Sequence, residues 1–438
     1  MKKDFGKNID WSFQAYGKLW NYNLQYFDYL FQRDISDTVK IQYLKDIITS
    51  LKNGDIRLDA YPVSLRIMNG IRYFSNKPCD KDIIISFYAQ LEYLYCHLEY
   101  QILGNHLMEN AFALFMGGHA FNNEKWKRRG KKLLCRELER QILPDGAHFE
   151  LSPMYHKIIL FRMLELMDWY GNIEKPDADF LAYIKNKATS MLNWLHTISL
   201  YENDIPYFND SANNITYSNQ QLFGFARQLN LPVPTTIDLK ESGYRKFGKN
   251  KYQCVVDVGP IGASYQPGHA HADALSFVLY YEKMPFFVET ATSTYQEGSV
   301  RNDERSTKAH NTVVVNDDNQ SEVWASFRVG SRANVTIEFE QNNRIGASHD
   351  GYKRKYGITH QRNFIFENTK INIVDTLLND KKCRGGKAYF HFHPDRNIIL
   401  NNNCISIDDI ARITFNEAQS VVLADYNFAV EFNSYKTG

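Results

Sequence analysis

Three absences already exclude several classes of protein. The 438-residue sequence has six widely scattered cysteines and no CxxC pair, which excludes a cysteine zinc domain, a CxxC redox site and a disulfide scaffold. There is no apolar run of about 18 residues, so no transmembrane helix is predicted. Lys plus Arg (51) and Asp plus Glu (50) nearly cancel to a net charge of +1, which argues against a nucleic-acid-binding protein.

The first residues of the chain also lack the apolar segment of a signal peptide. These residues, MKKDFGKNIDWSF, contain two adjacent lysines but no apolar segment of the kind that a signal peptide needs. We therefore expect either a cytoplasmic protein or a chain from which a leader has been removed.

Aromatic residues are abundant. There are 28 Tyr, 28 Phe and 6 Trp, together 14% of the chain. Most of these rings are expected to fill the core. Tyrosine also combines a flat face with a hydroxyl group, which suits a polar, ring-shaped ligand such as a sugar, and composition alone does not decide between the two roles.

The first half of the chain is predicted to be helical. From about residue 35 to 245 the apolar residues recur at helical spacing, as in Val39, Tyr43, Ile47 and Leu51, which share one predicted face. About seven helices with short connections result, and helix pairs stacked into an arc or toroid would fit them. The basic run Lys125-Trp-Lys-Arg-Arg-Gly-Lys-Lys is interpreted as a solvated helix face in preference to a ligand track.

The second half is predicted to consist of strands. From about residue 250 the apolar period becomes two, in runs such as 252–258, 275–281 and 362–367, with Asn- and Asp-rich turns between them. Helices followed by strands, without alternation, indicate a multidomain protein with an all-α domain and then an antiparallel β-sandwich. We place the domains at residues 1–245 and 246–438.

Two histidines open the β half. His269 and His271, in YQPGHAHAD, project from one face if this segment is extended. Glu289 follows 18 residues later, and His310 lies in the segment STKAHNT. Two imidazoles and a carboxylate are plausible zinc ligands. By spacing alone, a metal ligand and a hydrogen-bonded core histidine are about equally good interpretations of His310.

The helical half has two polar segments of interest. In GNHLMEN, a helix would place His106, Glu109 and Asn110 on one face, with Asn105 at an N-cap position. In DGAHFELSPMYH, Tyr155 falls in the first turn after Pro153, a residue favoured at the start of helices. Capping and structural roles are the alternatives.

Together these segments resemble the heparinase II/III family of polysaccharide lyases, whose relatives include alginate lyases. The resemblance extends from about residue 10 to 333, and its most specific part runs from YQPGHAHAD through RSTKAHNTVVV to QSEVWASFRVG. It implies an incomplete α/α toroid followed by an antiparallel β-sandwich. It also implies β-elimination on an acidic polysaccharide that contains uronic acid, with no organic cofactor, and a periplasmic or secreted location if a leader was removed.

The resemblance implies a role for each matching residue. Asn105 and His106 would neutralise the uronate carboxylate, so that charge developing at C5 is stabilised. Tyr155 and His269 would act as acid and base. Tyr295, with Tyr265 as a competitor, is a second candidate tyrosine. The other implied residues are four substrate contacts, Glu109, Asn110, Arg301 and Arg305, and three ligands of a structural zinc, His271, Glu289 and His310.

Two other functions remain open at this stage. The first is an acidic-glycan-binding or capsule-assembly protein without turnover, which would bind glycan tightly and release no product. The second is a zinc-dependent hydrolase that holds a catalytic metal through His269, His271 and His310. A chelator would then abolish activity at temperatures where the fold persists.

Overall fold

The structure, a computed structural model, describes residues 2–6, 8–201, 204–249, 251–379 and 383–438. The chain forms two compact units. The first unit comprises Met1–Ile142 and Arg162–Ala188, and the second unit comprises Leu143–Phe161 and Thr189–Gly438. Each unit is considered separately below.

The helices come first along the chain, as predicted. Within the described ranges, nine α-helices precede the first strand: α1 (Lys18–Gln25), α2 (Asp37–Asn53), α3 (Ala60–Phe74), α4 (Lys81–Cys96), α5 (Gly104–Ala120), α6 (Glu124–Gln141), α7 (Pro153–Gly171), α8 (Ala178–Ile198) and α9 (Asn219–Gln228). Two short helices, α10 (Ser299–Glu304) and α11 (Lys353–Tyr356), lie between later strands. No helix of the described residues is both long and apolar enough to cross a bilayer.

Helix α2 shows how local signals set the helix ends while packing selects the buried face. Ser36 accepts a hydrogen bond from the Val39 N–H at its start, and Gly54 at its end has a positive φ of 80°. The buried apolar residues are Leu44, Ile47 and Ile48, whereas Val39 is exposed. The predicted face was therefore wrong at Val39, because the buried positions Lys40, Leu44, Ile47 and Ile48 lie on a face rotated by about one residue from the predicted one.

Helices α5 and α6 of the first unit approach each other at the level of their backbones. A Cβ atom on Gly118 would lie 2.4 Å from the Lys127 nitrogen, and one on Gly130 would lie 2.5 Å from the Phe115 nitrogen. Only glycine permits so close an approach. At the other end of the pair, the Gln141 side chain donates to the Gly104 carbonyl (2.9 Å). This contact brings the end of α6 to the start of α5.

The second unit contains an antiparallel β-sandwich. One sheet has the order β1-β2-β3-β4 and the other β11-β10-β9-β8. Apolar side chains from both sheets, among them Val256, Phe277, Ile345 and Phe364, form one core cluster. The strands are β1 (Tyr244–Lys249), β2 (Tyr252–Asp257), β3 (Phe277–Tyr281), β4 (Met284–Phe287), β5 (Val313–Val315), β6 (Val323–Trp324), β7 (Arg328–Val329), β8 (Val335–Gln341), β9 (Arg344–His349), β10 (Thr359–Phe366), β11 (Ile371–Leu378), β12 (Gly386–Ala388), β13 (Ile398–Asn401), β14 (Cys404–Ile407), β15 (Ala411–Thr414), β16 (Asn427–Glu431) and β17 (Ser434–Thr437).

The change from helix to strand lies between Gln228 and Tyr244. The compact units divide the chain differently, since the second unit also includes Leu143–Phe161. This division places Tyr155 in the same unit as the sandwich. The domain limits 1–245 and 246–438 stay a prediction.

Candidate active site

Three predicted catalytic side chains meet in the second unit. The hydroxyls of Tyr155 and Tyr295 are 3.1 Å apart. The Tyr155 ring packs on the His269 imidazole with centroids 4.1 Å apart, and the Tyr295 ring is 6.1 Å from it. The structure therefore places Tyr295, 140 residues from Tyr155 in sequence, as the second tyrosine beside His269. Its competitor, Tyr265, stacks on Phe149.

The start of α7 holds Tyr155 in place. As predicted, Tyr155 lies in the first turn after Pro153. Ser152 accepts a hydrogen bond from the Tyr155 N–H (3.2 Å) and donates its own proton to the Asp210 carbonyl (2.6 Å). Leu151, directly before this turn, has a positive φ of 57°, which is costly for a branched residue. The surrounding hydrogen bonds maintain that conformation and thereby fix the tyrosine.

Asp210 is the centre of this cluster, although no sequence motif marks it. Its buried carboxylate is 2.8 Å from Nδ1 of His269 and 2.9 Å from Nε2 of His271. Both terminal nitrogens of Arg301 donate to it, one to each oxygen. Burial alone would raise the pKa of Asp210, but Arg301 and the two histidines hold this pKa well below its usual range. Asp210 is therefore ionised and fixes the orientation of His269.

The second ring nitrogen of His269 faces another carboxylate. Nε2 of His269 is 3.9 Å from an Oε atom of Glu150, beyond hydrogen-bond distance. With Nδ1 directed at Asp210, Nε2 is the nitrogen left to exchange a proton with a ligand. This geometry suits a general base.

The two tyrosines are protonated at neutral pH. Burial, the neighbouring Tyr295 and the carboxylate of Asp210 raise the pKa of Tyr155 well above its ordinary value. Burial and Asp210 do the same to the pKa of Tyr295. In this state both hydroxyls are proton donors, so a lowered tyrosine pKa, as required for a tyrosine base, is not found. The protonation states thus make the two tyrosines candidate proton donors and leave His269 as the candidate proton acceptor.

An aromatic surface borders the cluster. Phe327, which is 44% exposed, packs against His269 (5.6 Å) and Tyr295 (5.2 Å). Phe432 from the turn after β16 also contacts Tyr295 (5.0 Å). Partly exposed rings next to proton donors provide flat surfaces against which sugar rings pack. Part of the aromatic excess is thus located at this cluster.

Arg301 and Arg305, predicted as substrate contacts, are fully buried. Arg301 is occupied by Asp210, and Arg305 donates to the backbone carbonyls of Ala270, Trp324 and Ala325. Their guanidinium groups thus link the His269 segment to the β6–β7 turn. Here they hold the site together instead of presenting charge to a ligand.

The three predicted zinc ligands lie close together. The His271 and His310 rings are 5.2 Å apart, and Nδ1 of His310 is hydrogen-bonded to Glu289. Burial would lower the pKa of His310, but Glu289 raises it above its usual value. Burial lowers the pKa of His271 to about 3. Among the described residues, however, no three His, Cys, Asp or Glu side chains converge as a complete ligand set.

Some buried atoms of this cluster have no hydrogen-bond partner, and they are of the chemical types that bind a divalent metal ion. Nδ1 of His271, Nε2 of His310 and an Oδ atom of Asp273 are buried without a hydrogen-bond partner. In both histidines the opposite nitrogen is bonded to a carboxylate, as is usual in histidines that bind metal. Glu289 already contacts Ser276 and His310. The carboxylate oxygen without a partner therefore belongs to Asp273, which was not predicted.

A second polar cluster lies in the first unit at the start of α5. The His106 imidazole stacks on Tyr61 (4.3 Å) and its Nδ1 is 3.0 Å from Glu99. Asn105 is buried within the first helical turn. The N-cap residue is Leu103, with a φ of 64°, so the expected N-cap position of Asn105 was wrong. The unusual backbone at Leu103 turns the chain directly before Asn105.

Glu109 and Asn110, also predicted as substrate contacts, are fully buried within the first unit. Glu109 accepts from Arg162 (3.1 Å), and burial raises the pKa of Glu109. Asn110 donates to Ser64 and Glu99, both at 3.0 Å. Asn110 thus holds the Glu99 carboxylate that contacts His106. Glu99 was missed because it lies in an irregular turn without a motif.

Two sequence profiles now place the chain among known proteins. The profile described as "Heparinase II/III N-terminus" matches residues 72–228, and that described as "Heparinase II/III-like, C-terminal" matches residues 232–434. The chain belongs to the heparinase II/III family. The resemblance seen in the sequence is confirmed.

Heparinase II/III relatives with curated descriptions include two heparin-sulfate lyases. The one from Bacteroides stercoris is 25% identical over 361 residues, which are 74% of this chain and 50% of the relative. The one from Pedobacter heparinus is 25% identical over 326 residues, which are 67% of this chain and 46% of the relative. The chain thus spans about half the length of the curated relatives it matches.

Solved structures confirm the fold class of this heparinase II/III protein, a helical region followed by antiparallel sheets. A structure titled as heparinase III matches with a TM-score of 0.69 at 19% identity, covering 100% of this chain and 76% of that one. The heparan sulfate lyase HepC from Pedobacter heparinus matches with a TM-score of 0.63 at 20% identity, covering 99% and 75%. At 19% and 20% sequence identity, the structural similarity shows the fold alone.

Proposed function

We propose that this protein is a polysaccharide lyase that cleaves an acidic, uronic-acid-containing glycan by β-elimination. The observation that carries the proposal is the contact among Tyr155, Tyr295 and His269, with Nδ1 of His269 held by Asp210. The curated relatives are heparin-sulfate lyases, which supports a sulfated glycosaminoglycan as the first substrate to examine.

The chemistry follows from the protonation states. Nε2 of His269 accepts the proton from C5 of the uronate. The electron pair of the broken C5–H bond then forms the C4–C5 double bond, and the bond from C4 to the glycosidic oxygen O4 breaks. Tyr155 donates its proton to the departing oxygen, and Tyr295 at 3.1 Å stabilises the resulting phenolate by donating a hydrogen bond. Neutralisation of the substrate carboxylate by Asn105 and His106 remains a prediction from the resemblance.

The test is the formation of unsaturated product. Heparan sulfate, hyaluronan, alginate and capsular polysaccharides are incubated with the protein, and absorbance of the conjugated double bond is followed. We expect product from at least one glycan and a loss of about 100- to 10,000-fold in kcat for Tyr155→Phe or His269→Ala. Tight binding without product from any glycan would instead favour a glycan-binding protein.

We further propose a structural zinc ion at the cluster of His271 and His310. The support is the pair of unpartnered imidazole nitrogens, each opposite a carboxylate-bound nitrogen. Zinc bound there would stabilise the second unit, and catalysis would be left to the tyrosines and His269. Elemental analysis should find about one zinc per chain, and chelation should lower the Tm before it lowers kcat.

The carboxylate ligand is identified by a pair of variants. Glu289→Gln and Asp273→Asn each remove one negative charge from the cluster. The variant that loses zinc identifies the ligand, and retention of zinc in both contradicts carboxylate ligation. Loss of all activity on chelation, with an unchanged Tm, would favour the zinc-dependent hydrolase.

A further inference from the structure

The exposed face of α6 carries the basic run that begins at Lys125. None of these residues belongs to the catalytic cluster. Five cations, Lys125, Arg129, Lys132, Arg136 and Arg140, follow one another at spacings of four, three, four and four residues. Such spacing places them along one side of the helix. With a rise of 1.5 Å per residue, the row is about 22 Å long.

Packing determines that this row faces outward. The opposite side of α6 buries Trp126, Gly130, Leu133, Leu134 and Leu138. Because Gly130 meets the backbone of α5, the helix has little freedom to rotate. The cationic side is therefore held at the surface of the first unit.

The charges in the first half of this row are not neutralised within the protein, whereas Arg136 and Arg140 lie 2.8 and 3.7 Å from the buried carboxylate of Glu137. Arg128 is also exposed and lies beside the row, three residues after Lys125 and four before Lys132. In the part of the chain that the structure describes, Lys125, Arg128, Arg129 and Lys132 form no ion pair with a carboxylate, whereas Lys127 and Lys131 pair with Glu124 and Asp177. Glu139, at the edge of the row, is already paired with Lys187 (3.0 Å). The result is a strongly positive strip on a protein whose net charge is only +1.

An aromatic ring completes the strip. Tyr100 is 40% exposed, and its hydroxyl accepts a hydrogen bond from Arg129 (2.6 Å). The guanidinium groups of Arg129 and Arg136 lie 5.8 and 5.7 Å from the centre of its ring. Cations spaced along a line beside an exposed ring match a ligand that repeats anionic groups along a chain of sugar rings.

The strip ends next to the second polar cluster. Tyr100 directly follows Glu99, which contacts His106 at 3.0 Å. Gln141, at the end of α6, donates to Gly104 at the start of α5. A chain lying on α6 would therefore run toward Asn105 and His106, to which the resemblance gives the binding of a uronate carboxylate.

We propose that the α6 strip, Lys125, Arg128, Arg129, Lys132 and Arg136 with Tyr100, is an extended binding site for a sulfated, uronate-containing glycan chain. This inference rests on the proposed function, because it names where the part of an acidic substrate remote from the cleaved bond lies. The strip holds several sugar units by charge and makes the protein favour long substrates over short ones.

The experiment measures binding separately from turnover. End-labelled heparan sulfate tetrasaccharide and dodecasaccharide are titrated into the full chain carrying Tyr155→Phe, with anisotropy as the readout at about 0.05 and 0.15 M salt. The test variant combines Lys125→Gln, Arg128→Gln, Arg129→Gln and Lys132→Gln. The matched control neutralises four exposed cations of the first unit that have no ion pair in the described structure, Arg33, Lys52, Lys81 and Lys175.

We expect the strip variant to bind the dodecasaccharide about tenfold more weakly, with a flatter salt dependence, and the tetrasaccharide almost normally. The control should bind both as the parent does. Equal weakening by strip and control variants would overturn the proposal, as would equal binding of a single-stranded DNA with the same number of charges. If no glycan is ever cleaved, the lyase proposal fails while the binding result still decides this one.

Discussion

Replacing Asp210 by Asn tests the central feature of the catalytic cluster. The change keeps the size of the side chain and removes the negative charge that is paired with Arg301, His269 and His271. Arg301 is completely buried, so its charge would remain in the interior without its paired carboxylate. Breaking a buried ion pair from one side costs about 3–5 kcal/mol.

The expected loss is large enough to measure in two ways. For a unit of this size, about 2–4 °C of Tm is lost per kcal/mol, so Asp210→Asn should lower the Tm by about 6–20 °C. Because His269 would lose the carboxylate on its Nδ1, kcat should fall by about 100-fold or more even at temperatures where the variant is folded. Thermal unfolding and the rate of double-bond formation are the two assays.

Another Asp–Arg pair in the same unit, in which Arg362 is buried and Asp375 is partly exposed, provides the control. Asp375 accepts two hydrogen bonds from Arg362 (2.7 and 2.9 Å) and one from His360 (2.8 Å), and in the described part of the chain it forms no hydrogen bond or ion pair with Tyr155, Tyr295 or His269. Asp375→Asn should also lower the Tm, by less than Asp210→Asn because the Asp375 side chain is 23% exposed, and should leave kcat of the folded protein unchanged. If Asp210→Asn leaves both Tm and kcat unaltered, or if both variants lose kcat equally, the positioning argument is refuted.

The remaining predictions concern stability. Arg362 and His360 outweigh the effect of burial and lower the pKa of Asp375, and Arg301 does the same for Asp210. The stability that each ionised Asp contributes is therefore complete above the unfolded-state pKa of about 3.9 and is lost as the pH falls below that value. Because Asp375→Asn removes one of these carboxylates, the variant should lose less stability than the parent between about pH 4 and 2 in an acid titration. Gly146→Ala should destabilise by about 2 kcal/mol, because φ is +88° and the new Cβ would lie 2.2 Å from the Ser190 carbonyl oxygen. Gly224→Ala, with no atom within 4 Å of the new Cβ, is its control and should be neutral or stabilising in chemical denaturation. A pH-independent difference between Asp375→Asn and the parent, or equal effects of the two glycine variants, would contradict these arguments.

Some features of the site were predictable because they are local. Tyr155 follows Ser-Pro at a helix start, and this short-range signal sets both the first turn and the cap. The two histidines of the HAHAD segment could likewise be selected from the sequence, because they lie two residues apart in one short motif. Asp210 had no such signal, because its partners His269 and Arg301 are 59 and 91 residues away. The protonation state of Tyr155 could not be predicted from the sequence either, because burial and neighbouring groups in the folded chain determine its pKa.

The sequence by itself determined the order of helices and strands, the family and the residue types that carry the chemistry. These depend on periodicity, turn residues and short motifs, which act within a few positions of the chain. The tertiary structure alone decided that Tyr295 and not Tyr265 stands beside Tyr155. It also decided that Arg301 and Arg305 face inward, and that the basic run of α6 forms one exposed strip beside Tyr100. Burial and long-range pairing depend on which surfaces the folded chain brings together, and no local pattern encodes them.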